Sequence, residues 1–325
     1  MKLPPGSNWK TTQQKLVMIK LKGTFLDEIT HDIPKQNWGP QEWAADFDAM
    51  KAVGIDTVII IRAGYKDQAI FNSEVLQNYS SMIPAYDDLM DLFLKEAERC
   101  GMDLYFGLYD SGKYWHEGDP AKEVQINKEF TREVAEKYGE RDAFKGWYIS
   151  HEIDVYDPGV MEVYTEMSEH LKSLKELPVL ISPYVHGVKQ FGDNAISFKE
   201  HTENWNKIFA QIKDSVDIVA FQDGQVGYGE LQNYLRVHKV LADKYGIESW
   251  SNVESFDRDM PIKFPPIPFK FLRYKMEQAA AAGVENLITF EFSHFMSPNS
   301  IYPAARNLYK YYRRWLEEQE GAAQS

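Results

Sequence analysis

The sequence predicts a single-domain (β/α)8 TIM barrel. Two observations carry that expectation: a glycine-based junction that recurs along the chain, and eight strand candidates that alternate with helical patterns. The junctions read MKAVGIDTVIII, EAERCGMDLYFGLY, ADKYGIESWSNV and AAAAGVENLITF. In each, a helical segment ends on Gly54, Gly101, Gly246 or Gly283, followed by an apolar residue, an acid and a strand. Glycine enters the left-handed conformation that closes a helix without a Cβ clash, so each marks a helix-to-strand turn.

The other four strand candidates are KLVMIKLKGTF near the start, FKGWYIS, PVLISPYV and VDIVAF. Helical patterns lie between them. In PQEWAADFDAMKAV, Pro40 suits a first helical turn, and Trp43, Phe47 and Met50 fall on one face. Eight such pairs over roughly 300 residues match the barrel count. A doubly wound sheet is the rival, but it usually needs fewer strands, and the chain has no glycine-rich phosphate turn of the GxGxxG type. The expected limits are an N-terminal extension over 1–14, the barrel over 15–318 and a flexible C-terminal tail over 319–325.

With 325 residues, 44% of them hydrophobic, the chain can bury one large core or two modest ones. A formal net charge of −13 removes the attraction on which nucleic-acid binding mostly depends, so no nucleic-acid partner is expected. No apolar run approaches the roughly 20 residues of a membrane span. The single Cys100 forms no internal disulfide and does not reveal the compartment. The polar start MKLPPGSNWKTTQQ lacks a signal-peptide core: the expectation is cytoplasmic if Met1 is the native start, and periplasmic or secreted if a leader was trimmed.

In a barrel the strand ends carry the chemistry, because the loops that follow the strands build the active-site mouth. Those ends read TFLDE, IRAGY, GLYDSG, ISHEID, SPYVHG, FQDGQ, NVESFD and FEFSH. The segments from Arg62 to Pro84 and from Ser255 to Pro268 are longer than plain connectors and are expected to wall a cleft. Strand alternation groups Gly146, Tyr148, Ser150 and Glu152 on one face, and Trp250, Asn252 and Glu254 on one face of the seventh strand. Both glutamates are then able to point into the mouth. Two carboxylates across a cleft are what glycoside hydrolysis uses, about 5–5.5 Å apart in a retaining enzyme and about 6.5–9.5 Å apart in an inverting one.

Glutamates closing the fourth and seventh strands resemble the pattern of the large retaining glycosidase superfamily of (β/α)8 barrels. The phrases GTFLDEI, MKAVGIDTVII, GWYISHEID, FQDG and ITFEFSHFMSP are similar to an uncharacterised bacterial family, domain of unknown function 4434, over roughly Leu16 to Trp315. The resemblance implies an oligosaccharide or polysaccharide substrate, with Glu152 as acid/base and Glu254 as nucleophile. One departure is visible. The superfamily usually has Asn just before its acid/base, to hold the sugar 2-hydroxyl, and often Pro two residues after that Asn; here those places hold His151 and Ile153.

Further candidates sit at other strand ends. Gln222 and Asp223 offer an amide and an acid to sugar hydroxyls, and Asp27, Glu28, Asp110 and Glu291 are expected to floor a polar pocket. His294 is a candidate ligand contact or a structural histidine, and Trp115, Tyr184 and Trp250 are candidate stacking rings in a chain that is 14% aromatic. No metal or cofactor is expected, since alternation turns His151 away from Glu152 and Asp154 and there is no HxH or HExxH pair; a nucleophilic triad is not expected either, since no GxSxG elbow is present. Two alternatives stay open, an inverting hydrolase using Glu152 and Asp223, and a barrel that binds carbohydrate without cleaving it.

Overall fold

The computed structural model describes residues 18–30, 33–258 and 264–324. The expected N-terminal extension and the centre of the Ser255–Pro268 segment lie outside the described residues.

Eight parallel strands form a closed barrel: β1 (Leu21–Leu26), β2 (Thr57–Ile60), β3 (Asp103–Gly107), β4 (Phe144–Tyr148), β5 (Val179–Ile181), β6 (Ile218–Gln222), β7 (Glu248–Asn252) and β8 (Asn286–Thr289). Each strand pairs with its sequence neighbours, and β1 closes the ring against β8 through Leu21–Leu287, Gly23–Ile288 and Thr24–Thr289. The helices that follow the strands are α1 (Pro40–Ala52), α2 (Leu89–Cys100), α3 (Pro120–Tyr138), α4 (Pro158–Leu174), α5 (Phe198–Ile212), α6 (Leu231–Tyr245), α7 (Phe269–Ala281) and α8 (Pro303–Gln324). No helix among the described residues is long and apolar enough to cross a membrane.

Local chemistry explains where these elements start and stop. Asp119 and Asp157 cap α3 and α4 by accepting from the N–H groups of Lys122 and Val160, and a proline follows each cap. At the helix-to-strand turns, Gly54, Gly101, Gly246 and Gly283 all have φ between 68° and 86°. The expected left-handed exits are therefore all present.

Alternation along the strands sorts side chains into two layers. Phe25, Ile59, Tyr105, Tyr148, Leu180 and Ile288 fill the barrel interior. Trp43, Phe47, Phe106, Phe130, Trp147 and Trp205 pack between sheet and helices. Tyr148 and Trp147 thus lie in different layers, as strand periodicity requires.

The expected tail from 319 is instead the end of α8. Gln319 reaches back to the backbone of Ile19, accepting from its N–H at 2.9 Å and donating to its carbonyl at 3.0 Å. Those bonds tie the helix end to the chain just before β1. The long segment after β2 folds into a small sheet, in which Gly64–Tyr65 pairs with Gln68–Ala69 and with Tyr109–Asp110, followed by a short helix, Glu74–Gln77. That sheet stands over the mouth and gives Asp110 a fixed backbone.

Candidate active site

A cleft of about 740 Å3 opens where the strands end. Its lining divides by strand. The ends of β1, β2 and β8 and the segment after β7 contribute Phe25, Ile61, Phe290, Phe256 and Phe264, while the ends of β3 to β7 contribute Asp110, Trp115, Glu152, Tyr184, Gln222 and Glu254. The apolar group is interleaved with Thr30, Arg62, Asp257 and Arg258 from the same elements, so aromatic and charged side chains share that side of the mouth.

Glu254 is buried at the polar edge. Arg258, four residues on, donates from Nε to Glu254 Oε2 at 2.8 Å and from Nη2 to Glu254 Oε1 at 2.7 Å. The guanidinium lies over the rings of Phe256 and Phe264, with its central carbon 4.9 and 5.4 Å from their centroids. This bidentate pair fixes both carboxylate oxygens. Gly224 makes room for it: a Cβ there would stand 1.6 Å from Glu254 Oε2 and 2.8 Å from Arg258 Nε. The FQDG phrase therefore needs its glycine for a side chain thirty residues away.

Glu152 is half-buried and also lines the cleft. Tyr148 Oη donates to Glu152 Oε1 at 3.3 Å. Burial first, and then the charge of Glu152, pushes the Tyr148 and Tyr164 hydroxyls well up, so both are neutral phenols at physiological pH. Burial disfavours the Arg258 cation, but the charges of Glu254 and Glu152 act on it together and raise it. Arg62 is held in the same way by Glu152 and Asp110. These cations balance an acid-rich mouth.

Asp110 accepts from Arg62 Nε at 3.1 Å, Trp115 Nε1 at 2.9 Å and Gly112 N–H at 2.8 Å. Burial works against its charge, but His151, Arg62 and these donors win and hold the carboxyl below its ordinary value. Tyr184 lines the cleft opposite, its ring stacked on Phe191 with centroids 6.4 Å apart. Gln222 donates to Ser182 O at 2.9 Å and leaves its oxygen near Gln225.

Other expected site residues do not reach the cleft lining. Trp250 lies in the interior near the start of β7, against Tyr105, and donates to Glu248 Oε1 at 2.8 Å. It precedes Glu254 by four residues, which at about 3.3 Å per strand residue is roughly 13 Å below the mouth. Asp27 is consumed by its own turn, accepting from the N–H groups of Ile29 and Thr30. Glu28 accepts from Asn37 N–H, and burial raises its carboxyl. Glu291 caps the short helix Phe292–Phe295 and contacts His294 Nδ1 at 2.5 Å, while His294 Nε2 meets Pro34 O at 2.7 Å. Burial disfavours the charged imidazole, but the Glu291 charge and these bonds lift His294 to about 9. The pair is a buried structural ion pair behind the mouth. Asp223 also turns from the cleft and bonds the Glu254 backbone and Lys275. Asp223 does not line the cleft that Glu152 lines.

His151 points to α3, with Nε2 3.0 Å from Glu123 Oε1. It is buried and does not line the cleft. Among the described residues one group has metal-ligand proximity: Asp110, Glu123 and His151 each bring an atom within 4.8 Å of the others. Asp110 already accepts three donors, and Glu123 accepts from Ser111 N–H, Ser111 Oγ and His151. The three side chains are thus joined to their neighbours by hydrogen bonds, while His151 Nδ1 is buried without a hydrogen-bond partner among the described residues.

Sequence reasoning missed Arg62, Arg258, Gln225 and the apolar residues Phe25, Ile61, Phe256, Phe264 and Phe290 of the lining. Arg62 carried a usable signal, since it follows β2 directly in IRAGY. Arg258 did not, because it lies in an irregular segment where no periodicity assigns a direction.

Comparison with known proteins follows the same line as the geometry. No curated protein matches the chain. A crystal structure from Bacteroides thetaiotaomicron VPI-5482, described as a "putative alpha-L-fucosidase", is 48% identical over 92% of this chain and 96% of that one, with a TM-score of 0.89. An endo-1,4-beta-D-mannanase from Thermotoga petrophila RKU-1 shares the fold at 12% identity and a TM-score of 0.57, covering 92% of this chain and all of that one. A beta-D-glucuronidase from Dictyoglomus thermophilum does so at 14% identity and 0.55, covering 92% of this chain and 50% of that one. The family model for domain of unknown function DUF4434 matches residues 21–302, and the chain belongs to that family.

Proposed function

We propose that this protein is a retaining glycoside hydrolase, with Glu152 as acid/base and Glu254 as nucleophile. The observation that carries the reading is that both carboxylates line one cleft from the ends of β4 and β7, and that the charges of both act on Arg258. In this reading Glu152 protonates the departing oxygen while Glu254 attacks the anomeric carbon, and Glu152 then activates the water that releases the sugar. The half-buried position of Glu152 among neutral phenols suits a group that gives and regains a proton.

The apolar side chains of the lining bear on the substrate. A 6-deoxyhexoside such as a fucoside presents a methyl group where a hexoside presents a hydroxyl that needs a partner. Phe25, Phe290 and Ile61 offer no such partner, which agrees with the word fucosidase in the description of the relative at 48% identity.

The test is a panel of aryl glycosides led by α-L-fucosides. At least one is expected to be hydrolysed with retention of anomeric configuration, read by NMR at early times, and Glu152→Gln is expected to abolish turnover. Saturable binding of oligosaccharides with no turnover anywhere in the panel would instead identify a carbohydrate-binding barrel.

A further inference from the structure

The ladder between β6 and β7 ends at the Gln222–Asn252 pair. Beyond it the chain after β6 turns away at Gly224, and the peptide groups of Glu254 lose their strand neighbour on that side. Both are nevertheless bonded, and by side chains. Glu254 N–H donates to Asp223 Oδ1 at 3.0 Å, and Glu254 O accepts from Lys275 Nζ, on α7, at 2.8 Å. The same Nζ lies 2.5 Å from Asp223 Oδ1. On the other flank the β8 side takes over: Val253 N–H donates to Ile288 O at 2.8 Å and Ser255 N–H to Phe290 O at 3.0 Å.

The chemistry of this arrangement is unusual for a mere peptide anchor. Lys275 and Asp223 are 3% and 4% exposed, and removing two charges from water costs more than a neutral amide would need to satisfy the same two groups. What a charged pair adds is direction. Lys275 and Arg258 flank Asp223 and Glu254, so each carboxylate has its own cation and the two acids can sit close together. Burial and the neighbouring Glu254 raise the Asp223 carboxyl to about 6, with Lys275 opposing them.

We propose that Asp223 and Lys275 are positioning residues that extend the sheet by one peptide unit past β6, and so set the height at which the Glu254 carboxylate enters the cleft. The catalytic side of this inference rests on the assignment of Glu254 as nucleophile; the geometric side is readable without it. Lys275→Met alone would leave the Asp223 carboxylate buried without its cation, so the informative variant is the double Asp223→Leu, Lys275→Met, which removes both charges at similar volume. With a glycoside that the wild type hydrolyses, the double variant is expected to melt near the wild-type temperature and to keep KM within about twofold. Its kcat should fall on the order of 100-fold, as for a misplaced reacting group. The double Asp223→Asn, Lys275→Gln, which keeps an acceptor for Glu254 N–H and a donor for Glu254 O without either charge, should retain most of the wild-type kcat. A folded double variant with wild-type kcat overturns the proposal. If the wild type hydrolyses no glycoside, the nucleophile assignment fails by itself, and a crystal structure of the double variant decides the positioning: a displaced Glu254 carboxylate supports it, and an unmoved one overturns it.

Discussion

Glu254 and Glu152 line the same cleft, but they are held in opposite ways. Glu254 is 1% exposed, bonded through both oxygens to Arg258, and closed in by Gly224. Glu152 is half-buried and meets the neutral Tyr148 hydroxyl, with Tyr164, Tyr184, Arg62 and Arg258 in range of its charge. A carboxylate fixed by charge-assisted bonds keeps one direction of approach, which suits attack on a carbon. A half-buried carboxyl that meets a neutral phenol is open to a departing oxygen from the cleft side, which suits the proposed proton donor. The difference teaches that two identical side chains in one cleft are given distinct surroundings by their seats, and the proposed roles follow those surroundings.

The sharpest way to break this comparison is Glu254→Gly. Loss of the nucleophile should lower turnover by about 10^4-fold or more, and azide should restore activity with a glycosyl azide of inverted configuration. Near-normal turnover without azide would end the assignment. Glu152→Ala should cost about 10^2- to 10^4-fold on substrates with poor leaving groups. A substrate with a good leaving group should still form the glycosyl-enzyme, and azide should then release it with retained configuration. If azide instead yields the inverted product in both variants, the two seats do not divide the roles as described.

Gly224→Ala probes the Glu254 seat without touching either carboxylate. The added Cβ meets Glu254 Oε2 at 1.6 Å, so the Arg258–Glu254 pair must shift. Turnover is expected to fall about 100-fold with little loss of melting temperature; unchanged kinetics would mean that the seat tolerates displacement.

The smallest effect concerns acid stability and separates loss of fold from loss of chemistry. His201 and His238, on α5 and α6, are buried with their Nε2 atoms 2.7 Å apart. Burial lowers His201 to about 3, and burial together with His201 lowers His238. Their folded pKa values lie below the unfolded value near 6.5, so the unfolded chain binds more protons between those limits and stability is lost as pH falls from 6.5. For His201 the difference between pH 7.5 and pH 5 is about 2 kcal/mol, measurable by urea unfolding. A double His201→Leu, His238→Phe variant should lack this slope, and an unchanged slope would place the acid sensitivity elsewhere.

The barrel was legible because its signals are local. The glycines at helix exits, the capping aspartates and the alternation of Trp147 with Tyr148 each act within a few residues. The same alternation predicts that Glu152 and Glu254 can face the mouth, and both line the cleft. It says nothing about height along the barrel axis, which is why Trp250 shares a face with Glu254 yet stays below. It also fails beyond the last ladder pair, where Asp27, Asp223 and Glu291 follow turns and caps rather than a pleat.

The sequence alone therefore determined the eight-fold alternation, the junctions and the two strands that end in glutamate, since periodicity and turn chemistry are properties of neighbouring residues. Only the tertiary structure decided which acids reach the cleft and what each one touches. Arg258 comes from an irregular segment, Lys275 from the following helix and Gly224 from the adjacent strand end, and their meeting at Glu254 depends on closure of the barrel. Contacts of that range carry the electrostatics of the site, and no local pattern encodes them.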